Sequence, residues 1–173
     1  MDSEKFMQGR EDECVFFRGN QMFRYRVGAI IIENDHLLLI GNETVDFYYS
    51  VGGGVKLGET AEDAILREVF EETNVNYKID RLAFIQEKLI NFDEPGFLQG
   101  VNCHEIGFYF IMQSQGNMNT NCTSLCQLGK EYLKWIPLSK LENIKLYPKF
   151  FKKKLKTLPE YIEHLVVNDM KIN

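Results

Sequence analysis

Three glutamates, Glu68, Glu71 and Glu72, follow closely on three consecutive glycines, Gly52, Gly53 and Gly54, in the stretch GGGVKLGETAEDAILREVFEETNV at residues 52–75. The second half reads as a helix. At about 100° per residue it carries the three acids, with Ala61 and Ala64, on one side and Ile65, Leu66, Val69 and Phe70 on the other. Carboxylates this close on a helix repel by about 0.2–0.5 kcal/mol per pair, so a positive charge is expected among them. Carboxylate oxygens are hard ligands suited to Mg²⁺ or Mn²⁺, and Mg²⁺ shares its remaining positions with water and substrate phosphates. Glycines ahead of the helix let backbone approach such a ligand without side-chain interference. Any one of these glutamates alone would read as part of an ordinary solvated acidic face; the spacing of the whole stretch sets it apart.

That spacing resembles the Nudix box, Gly-x5-Glu-x7-Arg-Glu-U-x-Glu-Glu-x-Gly-U, where U is a bulky aliphatic residue. The matching positions are Gly53, Glu59, Arg67, Glu68, Val69, Glu71, Glu72 and Val75; Asn74 stands where the family has glycine. Asparagine is the residue other than glycine that best tolerates a left-handed helix cap, so the loop is expected to survive the exchange. Ahead of the helix, Lys56 stands where the family often has another glutamate, which removes one outer carboxylate.

The resemblance implies an α/β fold, a Nudix-type α/β/α sandwich around a mixed β-sheet. It also implies an activity: metal-dependent hydrolysis of the pyrophosphate linkage in a nucleoside diphosphate joined to another moiety. Mg²⁺ or Mn²⁺ would be held by Glu68, Glu71 and Glu72 with the Gly52 carbonyl. The proton acceptor is expected to be a box glutamate, Glu68 or Glu71, or a glutamate from beyond the box, Glu105. Gly53, Glu59 and Arg67 are expected to be structural, with Glu59 and Arg67 pairing to hold loop against helix and Arg67 turned away from the metal. The alternative is a catalytically silent Nudix module that binds a nucleotide-type ligand for regulation. Homodimers are common among similar proteins, so one is expected as a possible assembly here.

The remaining strands must carry whatever else the site needs. CVFFR, MFRYRVGAIIIE, HLLLI, FYYSV, IDRLAFIQEKLIN, HEIGFYFIM and EYLKWIP are rich in aromatic and β-branched residues and read as strands, with Asn34 and Asp35 supplying a hairpin turn. Arg24 and Arg26 share one strand face, and Arg26 is a candidate substrate ligand through bidentate bonding to phosphate. Glu87 and Glu105 stand in strands that otherwise read as buried, where a carboxylate is costly unless paired. Glu87 is a candidate for recognising a base or supporting the site from outside. Thr60 and Asp63 read as the helix cap.

The 173 residues suit a single domain across 1–173, with residues 1–13 as a loose arm or a short edge element and 148–173 as a C-terminal helical segment begun by Pro148. Net charge is −5, which argues against nucleic acid or an anionic membrane as partner and favours a small-molecule substrate. No run approaches the roughly 18 apolar residues of a membrane span, and the N-terminus has no secretory pattern, so a cytoplasmic protein is expected. Cys14, Cys103, Cys122 and Cys126 lack CxxC spacing and read as reduced thiols. Residues 91–103 and 113–130 are the loops expected to select substrate.

Overall fold

β-Branched and aromatic residues place the strands close to where the sequence predicts them. The computed structural model describes residues 7, 10, 12–93, 96, 98–118, 125, 126 and 129–170. Its strands are β1 (Val15–Arg18), β2 (Gln21–Ile30), β3 (Ile32–Glu33), β4 (His36–Asn42), β5 (Tyr48–Ser50), β6 (Ile79–Asn91), β7 (Asn102–Met112), β8 (Leu125–Cys126), β9 (Gly129–Pro137), β10 (Leu146–Tyr147) and β11 (Glu163–Asn168). The helices are α1 (Ala61–Thr73) and α2 (Phe151–Lys154), with a 3-10 turn at Leu138–Asn143. Among the described residues the strands form two mixed sheets, one in the order β1-β2-β7-β6-β11 and the other β10-β5-β4-β9-β8 with β3 beside β4. Asn34 and Asp35 turn the chain between β3 and β4 with φ of 47° and 60°, the left-handed pair that a two-residue hairpin needs.

Two apolar layers hold the sheets. Alternate residues Val27, Ala29 and Ile31 pack with Leu38, Ile40, Val51 and the inner stripe of α1, whereas Ile30, Leu37 and Leu39 pack with Phe84, Tyr109, Leu141 and Phe151 on the other side. A helix layer on each side gives the α/β/α sandwich, with the second layer reduced to the 3-10 turn and α2. Burying Ile65 and Val69 completely stabilises α1 by about 1.5–3 kcal/mol each, more than the helix's own propensity supplies.

Several expectations are corrected. The buried stripe of α1 is Ala64, Ile65, Val69 and Thr73, while Leu66 and Phe70 are 38% and 44% exposed. Positions 65, 69 and 73 form an i,i+4 row, and Glu68 and Glu72 flank that row instead of opposing it. The helix expected from Pro148 is only four residues long, and the last strand among the described residues is β11, parallel to β6. Lys152, Lys153 and Lys154 give that helix too little apolar surface to continue, whereas Val166 and Val167 favour a strand. Most of residues 1–13 lie outside the described residues, but Asp12 and Glu13 are tied down: Leu57 N–H donates to the Asp12 carbonyl at 2.7 Å, and Glu13 bridges Lys56. Cys103 is buried and Cys14 half-buried, while Cys122 and much of 113–130 lie outside the described residues.

Candidate active site

The box loop leaves β5 and crosses β2 before α1 begins. Gly52 takes φ of +137°, and a Cβ there would run into the Val27 carbonyl. A Cβ on Gly53 would enter the space of the Glu68 carboxylate, so a larger residue there would displace that carboxylate. Gly52 N–H donates to Glu72 Oε2 at 2.9 Å. Thr60 caps α1 by accepting from Asp63 N–H at 3.1 Å, and Asn74 ends it in the left-handed region, φ 55° and ψ 28°.

Arg67 binds Glu59 with two parallel hydrogen bonds, Nε to Oε1 at 2.8 Å and Nη2 to Oε2 at 2.9 Å, and donates to the Gly54 carbonyl at 3.1 Å. This is the expected clamp. The same guanidinium also reaches Glu68 at 2.6 Å and Glu71 at 3.3 Å. Arg67 therefore enters the acidic group, contrary to the expectation that it turns away, because its Nη1 spans both i+1 and i+4.

Burial pushes the Glu68 carboxyl up; Arg67 opposes this and Glu71 adds to it. Glu72 is pushed well above the usual carboxylate range, first by burial and then by Glu68 and Glu131, against the pull of Gly52 N–H and Arg26. Glu71 is exposed. All three are hard oxygen donors, and the surroundings disfavour the charge of Glu68 and Glu72, which is donor chemistry that fits a divalent cation. As the side chains stand, no three His, Cys, Asp or Glu among the described residues converge closely enough to hold a metal.

Opposite the helix, one face of the first sheet is polar. Register sets Arg24 of β2 beside Glu105 of β7, which stands opposite Lys88 of β6; the next rung is Arg26, Gly107 and Gln86, and the next Gly28, Tyr109 and Phe84. The first two rungs lie between apolar groups: Cys103, Phe92 and Leu98 on one side, Phe84 and Tyr109 on the other. Arg24 Nε is 2.5 Å from Glu105 Oε2, yet its N–H does not point at the oxygen, and both buried atoms lack a hydrogen bond. Burial pushes the Glu105 carboxyl up, but Arg24, Arg26 and Lys88 together outweigh it, so the net shift is downward. Burial likewise works against the Arg26 charge, which Glu105 and, less strongly, Tyr109, Glu68 and Glu13 restore. Arg26 is bridged to Gly54, so the sheet floor meets the glycine loop there, and its charge favours the ionised forms of Glu68 and Glu72.

Gly52, Gly53, Glu59, Arg67, Glu68, Glu71 and Glu72 belong to one loop and one helix, and Arg26 adjoins them through its bridge to Gly54; Glu105 stands one strand further, beside Arg24. Glu87 does not join them. It stands opposite Ile106, and alternation along β7 puts Ile106 and Glu105 on opposite faces. Its carboxylate instead accepts from His104 at 2.9 Å and lies 3.5 Å from His164 on the outer face. Lys88 and Gln86, which the register places on the same sheet face as Arg24 and Arg26, were not singled out in the sequence. Lys88, a charge in an apolar strand two residues from the end of its run, was the available signal, and only the register with Glu105 gives it meaning.

The fold is shared with solved structures. A MutT protein from Bacillus halodurans superposes with a TM-score of 0.62 at 19% identity over 84% of this chain and 91% of that one. A MutT protein from Methanosarcina mazei Go1 gives 0.56 at 17% identity, covering 75% and 88%. A UDP-X diphosphatase gives 0.52 at 19% identity, covering 90% and 68%. No curated protein matches in sequence. The family pattern of the NUDIX domain matches residues 22–161, which include the glycine loop, the helix of acids and the arginine floor, and the chain belongs to that family.

Proposed function

We propose that this protein hydrolyses the pyrophosphate linkage of a nucleoside diphosphate joined to a second moiety, in a reaction that needs Mg²⁺ or Mn²⁺. The observation that carries this reading is the joining of the β2 arginine strand to the glycine loop, where Arg26 bridges Gly54, the same loop being tied to the α1 acids through Gly52 N–H to Glu72 and Arg67 to the Gly54 carbonyl. Glu68, Glu71 and Glu72, with the Gly52 carbonyl, would hold the cation, which when bound neutralises phosphate charge and acidifies water.

The chain's own groups do the rest. Arg26 neutralises a phosphate oxygen and orients the diphosphate across the floor. Glu59 fixes Arg67, and Arg67 fixes the loop through Gly54, so the distance between Gly53 and Glu68 is set before substrate arrives. Glu105 is held charged by Arg24, Arg26 and Lys88, which makes it a weak base; it positions the two arginines, and the water proton passes to a box glutamate, Glu68 or Glu71.

The regulatory alternative draws on one observation, the guanidinium of Arg67 lying between Glu68 and Glu71. Both readings meet the same assay: phosphate or nucleotide release from a panel of nucleoside diphosphate compounds with Mg²⁺. The wild type should cleave at least one, and Glu71→Gln should lower the rate by at least about a hundredfold. Tight binding of a compound without any cleavage would favour the regulatory module.

A further inference from the structure

Tyr147, at the end of β10, is 40% exposed and carries two ammonium groups around its ring, Lys88 Nζ and Lys149 Nζ, each 5.9 Å from the centroid. Lys88 belongs to the polar floor, beside Glu105. Lys149 lines a cavity of about 320 Å³ together with Lys145, Tyr147, Lys152 and Lys153. The tyrosine ring therefore joins the floor to the cavity.

The cavity is strongly positive in a chain whose net charge is −5. Lys145 is bound to Asp46, and Lys152 donates to the Glu142 carbonyl at 3.3 Å. The one acid lining the cavity, Glu142, is neutralised by Lys156 at 2.9 Å. Lys149 and Lys153 have no ion pair among the described residues. Lys88 is half-buried, and burial, with Arg24 and Lys149 nearby, pulls its proton affinity down against the support of Glu105 and Asp169. Two unpaired ammonium groups, and a third crowded by like charges, make a place that an anion would stabilise. From Arg24 on β2 to Lys88 on β6 is two strand spacings, about 10 Å, so this place lies well beyond the diphosphate held near the box. Its volume is at the small end of ligand sites, enough for a phosphate ester with part of the group that bears it.

We propose that Tyr147, Lys149 and Lys153 form a second anion subsite, reached from the sheet floor past Lys88, which takes a phosphate ester at the far end of the substrate. The inference rests on the pyrophosphohydrolase reading and narrows it. The favoured substrates are diphosphate compounds whose second moiety carries its own phosphate, over those ending in a neutral sugar. Tyr147 supplies an aromatic wall for the adjoining sugar or base.

Binding and turnover test this separately. In an amide NMR titration with AMP and no divalent metal, Tyr147, Lys149 and Lys153 should shift saturably, and the Lys149→Met/Lys153→Met double variant should bind at least about tenfold more weakly, as loss of charge-assisted bonds requires. Shifts confined to residues 52–72, or equal affinity in the variant, would overturn the subsite. Kinetics then compare two compounds with the same diphosphate linkage, one ending in a neutral sugar and one in a sugar phosphate. The double variant should raise KM for the phosphorylated compound by about tenfold, with kcat nearly unchanged, and leave the neutral one alone. An equal effect on both refutes the proposal. A wild type that shifts at Tyr147 but cleaves neither compound sinks the enzymatic reading while the subsite stands; cleavage without those shifts does the reverse.

Discussion

Replacing Arg67 with methionine keeps most of the side chain's length and removes its charge. The residue makes three hydrogen bonds of 2.6–2.9 Å to Glu59 and Glu68 and a fourth of 3.1 Å to the Gly54 carbonyl. Charge-assisted bonds contribute about 1.5–3 kcal/mol each, so simple addition for the three short ones would give about 4.5–9 kcal/mol. Addition overstates the loss, because the side chains of Arg67, Glu59 and Glu68 are 22%, 16% and 15% exposed and water rehydrates part of what is orphaned. Breaking one member of a buried pair costs about 3–5 kcal/mol, and with this exposure about 3 kcal/mol is expected. For a chain of this size that lowers Tm by roughly 6–12 °C.

Urea unfolding followed by Trp135 fluorescence, in wild type, Arg67→Met, Glu59→Gln and the double variant, should give a coupling energy of about 2 kcal/mol. The effect should depend on pH. Arg67 holds the Glu59 carboxyl below its ordinary 4.5, burial offsetting only part of this. The carboxylate form is thus the one the fold prefers, so this contribution is complete above about pH 4.5 and fades as pH falls through the lowered value. The gap between wild type and Arg67→Met should narrow in acid. A destabilisation under about 1 kcal/mol, no coupling to Glu59, or a gap that widens in acid would refute the clamp.

Three further outcomes follow from single contacts. Glu33 is 1% exposed and accepts from Ser114 Oγ at 2.6 Å, Gln115 N–H at 2.5 Å and Gly116 N–H at 3.0 Å; Glu33→Ala should cost about 3 kcal/mol and speed amide exchange at 115 and 116, and unchanged exchange there would contradict the anchor. Gly53→Ala should leave the melting curve nearly intact yet lower kcat/KM by about a hundredfold, since its Cβ displaces the Glu68 carboxylate; full activity would contradict the close approach. Burial, only partly opposed by Arg24, pushes the Cys103 thiol up to about 11, so peptide mapping after native alkylation at pH 8 should find it unmodified, and rapid labelling would show the pocket over it to be open.

The box was legible because its chemistry is local: Gly53, Glu59, Arg67 and the acids meet within one loop and one helix, and their spacing alone defines the contact. Asn74 could be read through a family departure because left-handed tolerance is a property of the residue itself. Glu87 and Lys88 were not separable in sequence, since adjacent strand positions face opposite ways and only the pairing of β6 with β7 says which side meets Arg24. The tail misled for a similar reason. Pro148 and a lysine run satisfy the rules for starting a helix, but length depends on apolar surface to cover, and β6 offered Val166 and Val167 an open edge instead. Leu66 and Phe70 looked like core by type and are exposed by angle.

The most direct test of the central claim is calorimetric titration of Mn²⁺ into wild type and a Glu68→Gln/Glu72→Gln variant, with and without methylenediphosphonate. Saturable binding that the diphosphonate strengthens, and that the variant loses in both conditions, is the predicted result. Equal Mn²⁺ binding by both proteins, or no gain from the diphosphonate, would contradict the claim that these glutamates hold a cation for a diphosphate.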